Sequence, residues 1–249
     1  MKASLGVLNL HGFTSSLDCV NGLNPYIEAL GLPYRMPTLR GHMQTPEALV
    51  GVRWPDWYAD AEAALKDLLT EADKVIVVGL SMGGLVTLQL AAEHPNEVDS
   101  IVLISAALKL ANPLAPGNAL SFLRPVVRRV VRWWAMNPNY TDKECEKCDT
   151  CYRRAPMDAI LSFLEYTAYI EGRLSEVRVP AFIVHSQKDQ TAHPKSAQII
   201  YDHIASTDKR LVWFERTSHE MMLDLERVQV FETVQGFLKE RMAKAAARG

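Results

Sequence analysis

The feature that most constrains the fold is the stretch VIVVGLSMGG, which runs from Val75 to Gly84. It begins with four β-branched residues, which favour a strand. The segment after it, LVTLQLAAEHP, is rich in helix formers and ends at a proline. Ser81 therefore lies between a strand and a helix, in a Gly-x-Ser-x-Gly pattern. Such a junction holds the serine on a sharp, strained turn, and the flanking glycines remove the collisions that side chains would make there.

Strand and helix patterns alternate along the rest of the chain. Besides the run before Ser81, the predicted strands are SLGVLNL (4–10), SIVLISA (100–106), VPAFIVHS (179–186), RLVWFER (210–216) and a weaker one in PYRMPTL (33–39). Besides the helix after Ser81, the predicted helices are NGLNPYIEALG (21–31), WPDWYADAEAALKDLLTEA (54–72), PKSAQIIYDHIA (194–205) and DLERVQVFETVQGFLKERM (224–242). This alternation predicts an α/β fold, with a mostly parallel sheet of about six to seven strands and helices on both faces.

The stretch from residue 108 to residue 175 breaks this alternation. It combines prolines with several helical pieces, shows no convincing strand, and lies between two core strands. We interpret 108–175 as a helical cap inserted over the carboxyl edge of the sheet, where open α/β folds bind ligands. Residues 1–107 and 176–249 then form the core. The alternative is a pair of structural helices elsewhere on the surface.

A serine hydroxyl near neutral pH needs a base to activate it, and the base needs a group that orients it. On this architecture the chain order is serine, acid, histidine, each in a loop after a strand. His219 lies just past the last predicted strand and Asp189 just past the preceding one. The other histidines after the cap are less suitable as the base. His185 lies inside a strand, His193 lies too close to the candidate acid, and His203 lies on a helix. Asp224 is the alternative acid, and Glu220 would have to fold back onto the adjacent base.

The negative charge that develops on an attacked carbonyl oxygen needs hydrogen-bond donors. One is the N–H of the residue after the serine, Met82, at the start of the predicted helix. A second is expected from the loop after the first strand, HGFTSS, where the N–H of Phe13 is the candidate. Gly12 allows the backbone to turn there, and His11 is best explained as a hydrogen-bonding brace of this loop.

Six pieces of the sequence occur in the order known from one superfamily: LNLHGFTSS, PTLRGH, WPDWYAD, VVGLSMGG, KDQTAHPKSAQIIY and SHEMMLD. In these pieces the chain resembles the α/β-hydrolase superfamily, and within it the small bacterial carboxylesterases and monoacylglycerol lipases. The resemblance covers most of the chain outside the cap. It implies an α/β-hydrolase fold, a catalytic triad of Ser81, Asp189 and His219, and an oxyanion hole formed by the N–H groups of Phe13 and Met82.

The composition argues against several other classes of protein. A net charge of −2 gives no support to a nucleic-acid binder. Four cysteines among 249 residues do not suggest a disulfide scaffold. The N-terminal sequence MKASLGVLNLHGF lacks the long apolar run and the small-residue cleavage site of a signal peptide, so we expect a cytoplasmic protein.

The predicted cap is basic, although the chain as a whole is slightly acidic. From Lys109 to Arg154 it carries nine Lys or Arg and four Asp or Glu, a local charge of +5. The segment FLRPVVRRVVRWW separates apolar from basic positions on a predicted helix, with Leu123, Val127, Val130 and Trp134 on one face and Arg124, Arg128 and Arg132 on another. We favour an ordinary lid helix with a solvated basic side over one that makes transient contact with lipid aggregates. Val130, Trp133 and Trp134 are the candidate substrate-binding residues of the cap.

Three cap cysteines, Cys145, Cys148 and Cys151, form a C-x2-C-x2-C pattern. Thiolates at this spacing can face one metal ion, with Cys19 or a histidine as a fourth ligand. On a helix, however, these positions simply line one face, and no second pair lies at a spacing typical of zinc fingers. We therefore expect neither a metal nor a cofactor.

Together these features predict a serine carboxylic-ester hydrolase. An acyl group would be transferred to Ser81 and then released by water that His219 activates. The apolar cap predicts an enclosed acyl pocket, and hence medium-chain esters or monoacylglycerols as substrates rather than acetyl esters or triacylglycerols. The alternatives are a C–C bond hydrolase or an amidase with the same triad, and a non-catalytic binding protein on the same scaffold.

Overall fold

The protein is described by a computed structural model that covers residues 2–147 and 149–247. The strands within these ranges are β1 (Ala3–Leu10), β2 (Tyr34–Arg35), β3 (Ala72–Leu80), β4 (Val98–Ile104), β5 (Trp133–Ala135), β6 (Arg154–Pro156), β7 (Ala181–Ser186) and β8 (Lys209–Phe214). The α-helices are α1 (Asp18–Asn21), α2 (Asn24–Glu28), α3 (Trp54–Leu68), α4 (Met82–Glu93), α5 (Arg124–Val130), α6 (Lys143–Lys147), α7 (Met157–Glu171), α8 (Lys195–His203) and α9 (Arg227–Ala246). Short 3-10 turns occupy Pro46–Leu49, Ser121–Leu123 and Leu174–Glu176.

Six strands form one sheet in the order β2-β1-β3-β4-β7-β8, and each neighbouring pair is parallel. The edge strand β2 is two residues long, in keeping with the prolines that bracket it in the sequence. In the central strand β3, alternate side chains enter opposite cores, with Val75 and Val77 in one and Ile76 and Val78 in the other. The mostly parallel sheet predicted from the sequence is confirmed.

Helices cover both faces of this sheet. One core contains Trp57 from α3, Leu85 from α4 and Ile200 from α8. The core on the opposite face contains Val20 from α1 and Phe231 from α9. The uncharged run 75–78 of β3 is therefore explained by its position in the middle of the sheet, where both faces are buried.

The carboxyl ends of the strands lie at one edge of the sheet. The register pairs Leu10 with Gly79, Leu80 with Ile104, and Ser186 with Phe214. The loops that follow β1, β3, β7 and β8 therefore begin side by side. The candidate catalytic residues predicted from the sequence lie in these loops.

The outer cap, which we define as residues 109–147 and 149–156, differs from the sequence prediction. It contains an antiparallel strand pair, β5 with β6, in which Trp134 pairs with Ala155. The expectation of a cap without strands is therefore wrong. The helix predicted over FLRPVVRRVVRWW ends at Val130, because Val131 already has extended backbone angles (φ −104°, ψ 114°). The β-branched and aromatic residues that follow favour a strand, so Trp134 does not share a helix face with Val130.

Helix α7 belongs to the predicted cap in sequence but packs against core helices. Tyr166 is fully buried, donates a hydrogen bond from its hydroxyl to Gln89 Oε1 of α4 at 2.7 Å, and stacks on Trp54 of α3. The division of the chain at residues 108 and 175 stays a prediction. In residues 2–147 and 149–247, no helix has the length and apolar character required to span a bilayer.

Candidate active site

Ser81 occupies the turn between β3 and α4 with φ 55° and ψ −114°, a backbone conformation rare for a residue with a side chain. The flanking glycines are required by close packing. A Cβ on Gly79 would collide with the Gly83 carbonyl, and a Cβ on Gly83 would lie 2.5 Å from the carbonyl oxygen of Leu10. The strained junction expected from the Gly-x-Ser-x-Gly pattern is thus present.

The structure brings Ser81, His219 and Asp189 together. Ser81 Oγ lies 3.0 Å from His219 Nε2, and His219 Nδ1 lies 2.8 Å from Asp189 Oδ2. All three residues are buried. The other oxygen of the carboxylate, Asp189 Oδ1, accepts the backbone N–H groups of Thr191 and Ala192 at 2.9 and 2.8 Å. A serine hydroxyl that can donate to an imidazole oriented by a carboxylate is the arrangement that activates serine as a nucleophile.

The pKa values of the pair shift in the direction of an ion pair. Burial alone lowers the pKa of His219, but the charge and hydrogen bond of Asp189 outweigh it and raise the pKa to about 9. Burial also opposes the charged form of Asp189, yet the facing imidazole holds the pKa of this carboxyl below its usual range. The site therefore stabilises the imidazolium that forms when His219 accepts a proton.

The loop after β1 passes directly beside the serine. A Cβ on Gly12 would lie 3.1 Å from Ser81 Cβ, so glycine permits this approach. The next residue, Phe13, has its ring packed on Phe163, with 5.1 Å between the ring centroids. Met82 is the first residue of α4, where backbone N–H groups have no acceptor within the helix. The two candidate oxyanion donors thus lie on the two segments that flank Ser81.

Two buried histidines hold the loop after β1 in place. His11 Nδ1 donates to the Gly12 carbonyl at 2.9 Å, and its Nε2 accepts the N–H of Leu39 at 3.1 Å. His42 Nδ1 donates to the Leu39 carbonyl at 3.0 Å, and its Nε2 accepts the N–H of Thr14 at 3.1 Å. Burial lowers the pKa of His11 to about 4 and that of His42 to about 3. Both rings are therefore neutral at pH 7, which leaves each Nε2 free to accept.

The sequence predicts the bracing role for His11 but not for His42. The sequence signal that could have identified His42 is its position in PTLRGH, one of the six pieces that carry the family resemblance. Nothing in the sequence alone shows that this histidine reaches across to Thr14.

The other candidates for acid and base have different partners. Asp224 accepts the backbone N–H groups of Ser218 and Thr141 at 2.8 Å each, so it fixes the loop that carries His219 to the outer cap. His185 is fully buried in β7, and its Nε2 lies 3.0 Å from the Ala192 carbonyl oxygen and 3.4 Å from Asp189 Oδ2. His185 thus lies behind the acid, as the expected core role requires.

Two connected cavities lie over Ser81. The one at the serine is narrow, about 60 Å³, and Glu220, beside His219, is among its lining residues. Burial raises the pKa of this carboxyl. The adjoining cavity is larger, about 290 Å³, and mostly apolar; it is lined by Phe13, Leu110, Ala111, Asn112, Trp134, Ala135, Met136, Asn137, Ile160, Phe163, Leu164, Gln190 and Thr191. Several of these residues line both cavities, so the larger cavity adjoins the space at the serine on the side of the outer cap.

The three candidate substrate-binding residues are placed differently. Trp134 lines the larger cavity. Trp133 lies under the guanidinium of Arg154, which is 4.6 Å from the ring centroid, and is not among the lining residues of either cavity. Val130 is 72% exposed on α5. A strand, in which successive side chains point to opposite faces, separates the two tryptophans in this way.

The family model described as "Serine aminopeptidase, S33" matches residues 2–226. The chain belongs to this family. A carboxylesterase of Bacillus subtilis (strain 168) is 27% identical over 236 residues, which cover 94% of this chain and 92% of that protein. A thermostable monoacylglycerol lipase of Bacillus sp. (strain H-257) is 28% identical over 234 residues, 92% of this chain and 88% of that protein.

A solved structure described under "LipS and LipT, two metagenome-derived lipolytic enzymes" superimposes with a TM-score of 0.85 at 28% identity, and the match covers 96% of this chain and 95% of that one. The resemblance stated from the sequence is therefore confirmed. The chain is an α/β-hydrolase of the carboxylesterase and monoacylglycerol lipase type, and it is an enzyme of the serine ester hydrolase class.

Proposed function

We propose that this enzyme hydrolyses medium-chain carboxylic esters, monoacylglycerols among them, through an acyl-enzyme on Ser81. The observation that carries the proposal is the apolar cavity of about 290 Å³ that adjoins the space over the serine. Its volume lies close to the lower end of the range of small-molecule pockets, about 300 Å³. Such a space suits one acyl chain better than the three of a triacylglycerol.

The reaction begins when Ser81 Oγ attacks the ester carbonyl carbon. His219 Nε2, 3.0 Å away, takes the hydroxyl proton, and Asp189 stabilises the imidazolium. The carbonyl oxygen becomes negatively charged and accepts hydrogen bonds from the N–H groups of Phe13 and Met82. When the tetrahedral intermediate collapses, His219 returns the proton to the leaving alcohol. Water then attacks the acyl-enzyme by the same steps and releases the acid.

The preference for acyl-chain length depends on how much of the chain the cavity removes from water. Each buried methylene contributes about 0.8 kcal/mol. Trp134, Phe163 and Leu164 line the cavity and offer the apolar surface for such burial. A medium chain reaches this surface, whereas an acetyl group remains beside the serine.

The relatives support an ester substrate, and the family description supports a second candidate. The similar proteins are named as a carboxylesterase and a monoacylglycerol lipase. Hydrolysis of the N-terminal peptide bond is the second candidate, because the family carries the description of an aminopeptidase. The carboxyl of Glu220 borders the Ser81 cavity and would be the group that receives a substrate ammonium.

The exposed surface of the 3-10 turn Ser121–Leu123 and of α5, which follows it, supports contact with lipid aggregates. Phe122 and Val126, four positions apart, are 72% and 58% exposed. Arg124, Arg128 and Arg129 lie on the same short segment. An exposed apolar stripe beside cations fits the interface of an anionic lipid surface. We therefore include transient contact of the outer cap with lipid in the proposed function.

A fluorophosphonate probe and a substrate panel test this proposal. The probe should label Ser81 in the wild type and fail to label Ser81→Ala. On a panel of p-nitrophenyl esters, monoacylglycerols, aminoacyl amides and diketones, kcat/KM should be highest for the medium-chain esters. A panel in which aminoacyl amides lead would replace the ester proposal with the peptidase candidate. Labelling without turnover of any ester or amide would refute both.

A further inference from the structure

A second cluster of reactive side chains lies where the outer cap meets the segment after β1. Cys19, in α1, is buried with 1% of its surface exposed, and Cys151 comes from the outer cap. Their Sγ atoms are 3.4 Å apart although the residues are 132 positions apart in the chain. Asp149 adds a carboxylate, and one potential ligand atom from each of these residues lies within 4.8 Å of the other two.

The carboxylate of Asp149 lacks a full set of partners. Its Oδ1 accepts the N–H of Cys151 at 2.9 Å. Its Oδ2 is buried and has no hydrogen-bond partner within residues 2–147 and 149–247. The guanidinium of Arg153 is 3.5 Å from this oxygen, outside hydrogen-bonding geometry, and is half exposed. The charge of Arg153 is therefore close to this oxygen, but within the described residues the oxygen accepts no hydrogen bond, which is costly for a buried carboxylate. A cation between Asp149 Oδ2 and the two sulfurs would satisfy it.

We propose that Cys19, Asp149 and Cys151 bind a divalent cation of the zinc class. Thiolates and a carboxylate are ligands that Zn²⁺ accepts, and thiolates select it over Mg²⁺ and Ca²⁺. Two sulfurs on a tetrahedral zinc, each at about 2.3 Å, lie about 3.8 Å apart. A disulfide requires about 2.05 Å. The separation of 3.4 Å is that of two thiols in hydrogen-bonding contact, and it is closer to the metal-bridged distance than to that of a disulfide. Binding releases the two thiol protons to solvent, and water or another side chain completes the tetrahedron.

This ligand set differs from the one considered in the sequence. Cys145 lies elsewhere, with its Sγ 3.6 Å from Asp142 Oδ2 and 3.8 Å from Arg227 Nη1. Cys148 falls outside the described residues. The sequence named Cys19 as a possible fourth ligand but argued against a metal, because the three cap cysteines could line one helix face and no second pair lies at a zinc-finger spacing. The fold brings Cys19 to Cys151 alone, together with Asp149, which the sequence did not propose as a ligand.

The site lies next to the loop that carries the Phe13 N–H. Tyr152 donates its backbone N–H to the Thr14 carbonyl at 2.8 Å, and the hydroxyls of Ser16 and Thr150 are hydrogen-bonded. A metal held by Cys19 and the outer cap would therefore fasten the cap to this loop. Its role is structural, and it takes no part in the ester hydrolysis proposed above.

Metal analysis of the full chain tests the site. The protein is purified without a metal-affinity step, kept reduced, incubated with zinc and passed through metal-free buffer. The wild type should retain about one zinc per chain, and Cys19→Ser should retain little. Substitution with cobalt should give a thiolate-to-cobalt absorption band in the wild type that Cys19→Ser lacks. A chelator should lower the Tm of the wild type and leave that of Cys19→Ser unchanged.

Two further variants make the result decisive. Asp149→Asn keeps the size of the side chain and should weaken zinc retention even if the cysteine variants fold poorly. Cys145→Ser is the matched control, since it removes a thiol outside the cluster, and it should retain zinc as the wild type does. The site is overturned if the wild type retains no zinc, or if Cys19→Ser and Asp149→Asn retain as much as the wild type. A Cys19–Cys151 disulfide in freshly purified protein would also overturn it.

Discussion

The strand ends around Ser81 and the outer cap above them are held in place by different contacts. In the core, parallel strands set the positions through their register, which pairs Leu10 with Gly79 and Leu80 with Ile104. The outer cap has a separate two-stranded sheet and meets the core through buried apolar side chains, such as Leu114 and Ala155, and through hydrogen bonds, such as that from the Tyr152 N–H to the Thr14 carbonyl. Its residues Phe122 and Val130 remain 72% exposed.

This difference separates the two tasks of the proposed enzyme. The core holds the reacting groups at fixed distances, so a change there should affect every substrate alike. The outer cap contributes apolar surface, so a change there should affect substrates according to their acyl chain. Variants of the two regions should therefore differ in whether they affect all substrates or only those with a longer acyl chain.

Ser81→Ala should reduce kcat for every ester by about 10⁶-fold, as loss of a triad nucleophile does. The Tm should change little, because alanine keeps Cβ and removes only Oγ, whose hydrogen bond is to His219. The measurement is hydrolysis of acetyl and octanoyl p-nitrophenyl esters by the two proteins. A variant that keeps a tenth of the wild-type turnover would mean that another residue is the nucleophile.

Asp189→Asn should reduce kcat by about 10⁴-fold, because the amide no longer stabilises the imidazolium and favours the wrong tautomer of His219. Asp224→Asn is the matched control: it makes the same change in a carboxylate that binds backbone N–H groups instead of the imidazole. The control should lose stability and far less of its turnover. The reverse ranking would identify Asp224 as the acid.

The pH dependence of kcat/KM should show one ionisation on the acid side. Neutral His219 is the form that accepts the serine proton, and Asp189 raises its pKa towards about 9. Below that pKa, kcat/KM should fall about tenfold for each pH unit. The midpoint should lie above 6.5, the ordinary value for histidine. In Asp189→Asn the residual activity should show a lower midpoint, and an unchanged one would contradict the assigned pairing.

Trp134→Ala should lower the ratio of octanoyl to acetyl hydrolysis about tenfold, which corresponds to about 1.4 kcal/mol of lost apolar contact with the longer chain. Trp133→Ala removes the neighbouring indole, which packs under Arg154 and lines neither cavity. This control should leave the ratio close to the wild-type value. Equal changes in both variants would show that the cavity over Ser81 is not the acyl pocket.

Val126→Ser should have the smallest effect, a reduction of a few-fold in binding to vesicles that contain anionic lipid, since one exposed apolar side chain is removed from the interface. Val228→Ser makes the same substitution in another exposed valine, near the start of α9, and should leave vesicle binding unchanged. Hydrolysis of a soluble ester should stay the same in both variants. Equal binding by Val126→Ser and the wild type would remove α5 from the proposed lipid contact.

The sequence by itself determined the sheet and the position of the serine. An uncharged run of β-branched residues is typical of a strand buried on both faces, and β3 has that position. The glycines around Ser81 predicted the strained turn, because no other residue fits where Gly83 meets Leu10. The order of serine, acid and histidine then selected Asp189 and His219, since each follows a strand whose carboxyl end lies at the same edge of the sheet.

Only the tertiary structure decided the features that depend on contacts between distant segments. The segment RWWA (132–135) fits the end of a helix as well as a strand. Pairing with β6 made it a strand and turned Trp133 away from the cavity that Trp134 lines. His42 braces the loop after β1 from a segment 28 residues away. Cys19 meets Cys151 across 132 positions. Periodicity and spacing describe neighbours along the chain, whereas these contacts arise because the sheet brings separate loops to one edge.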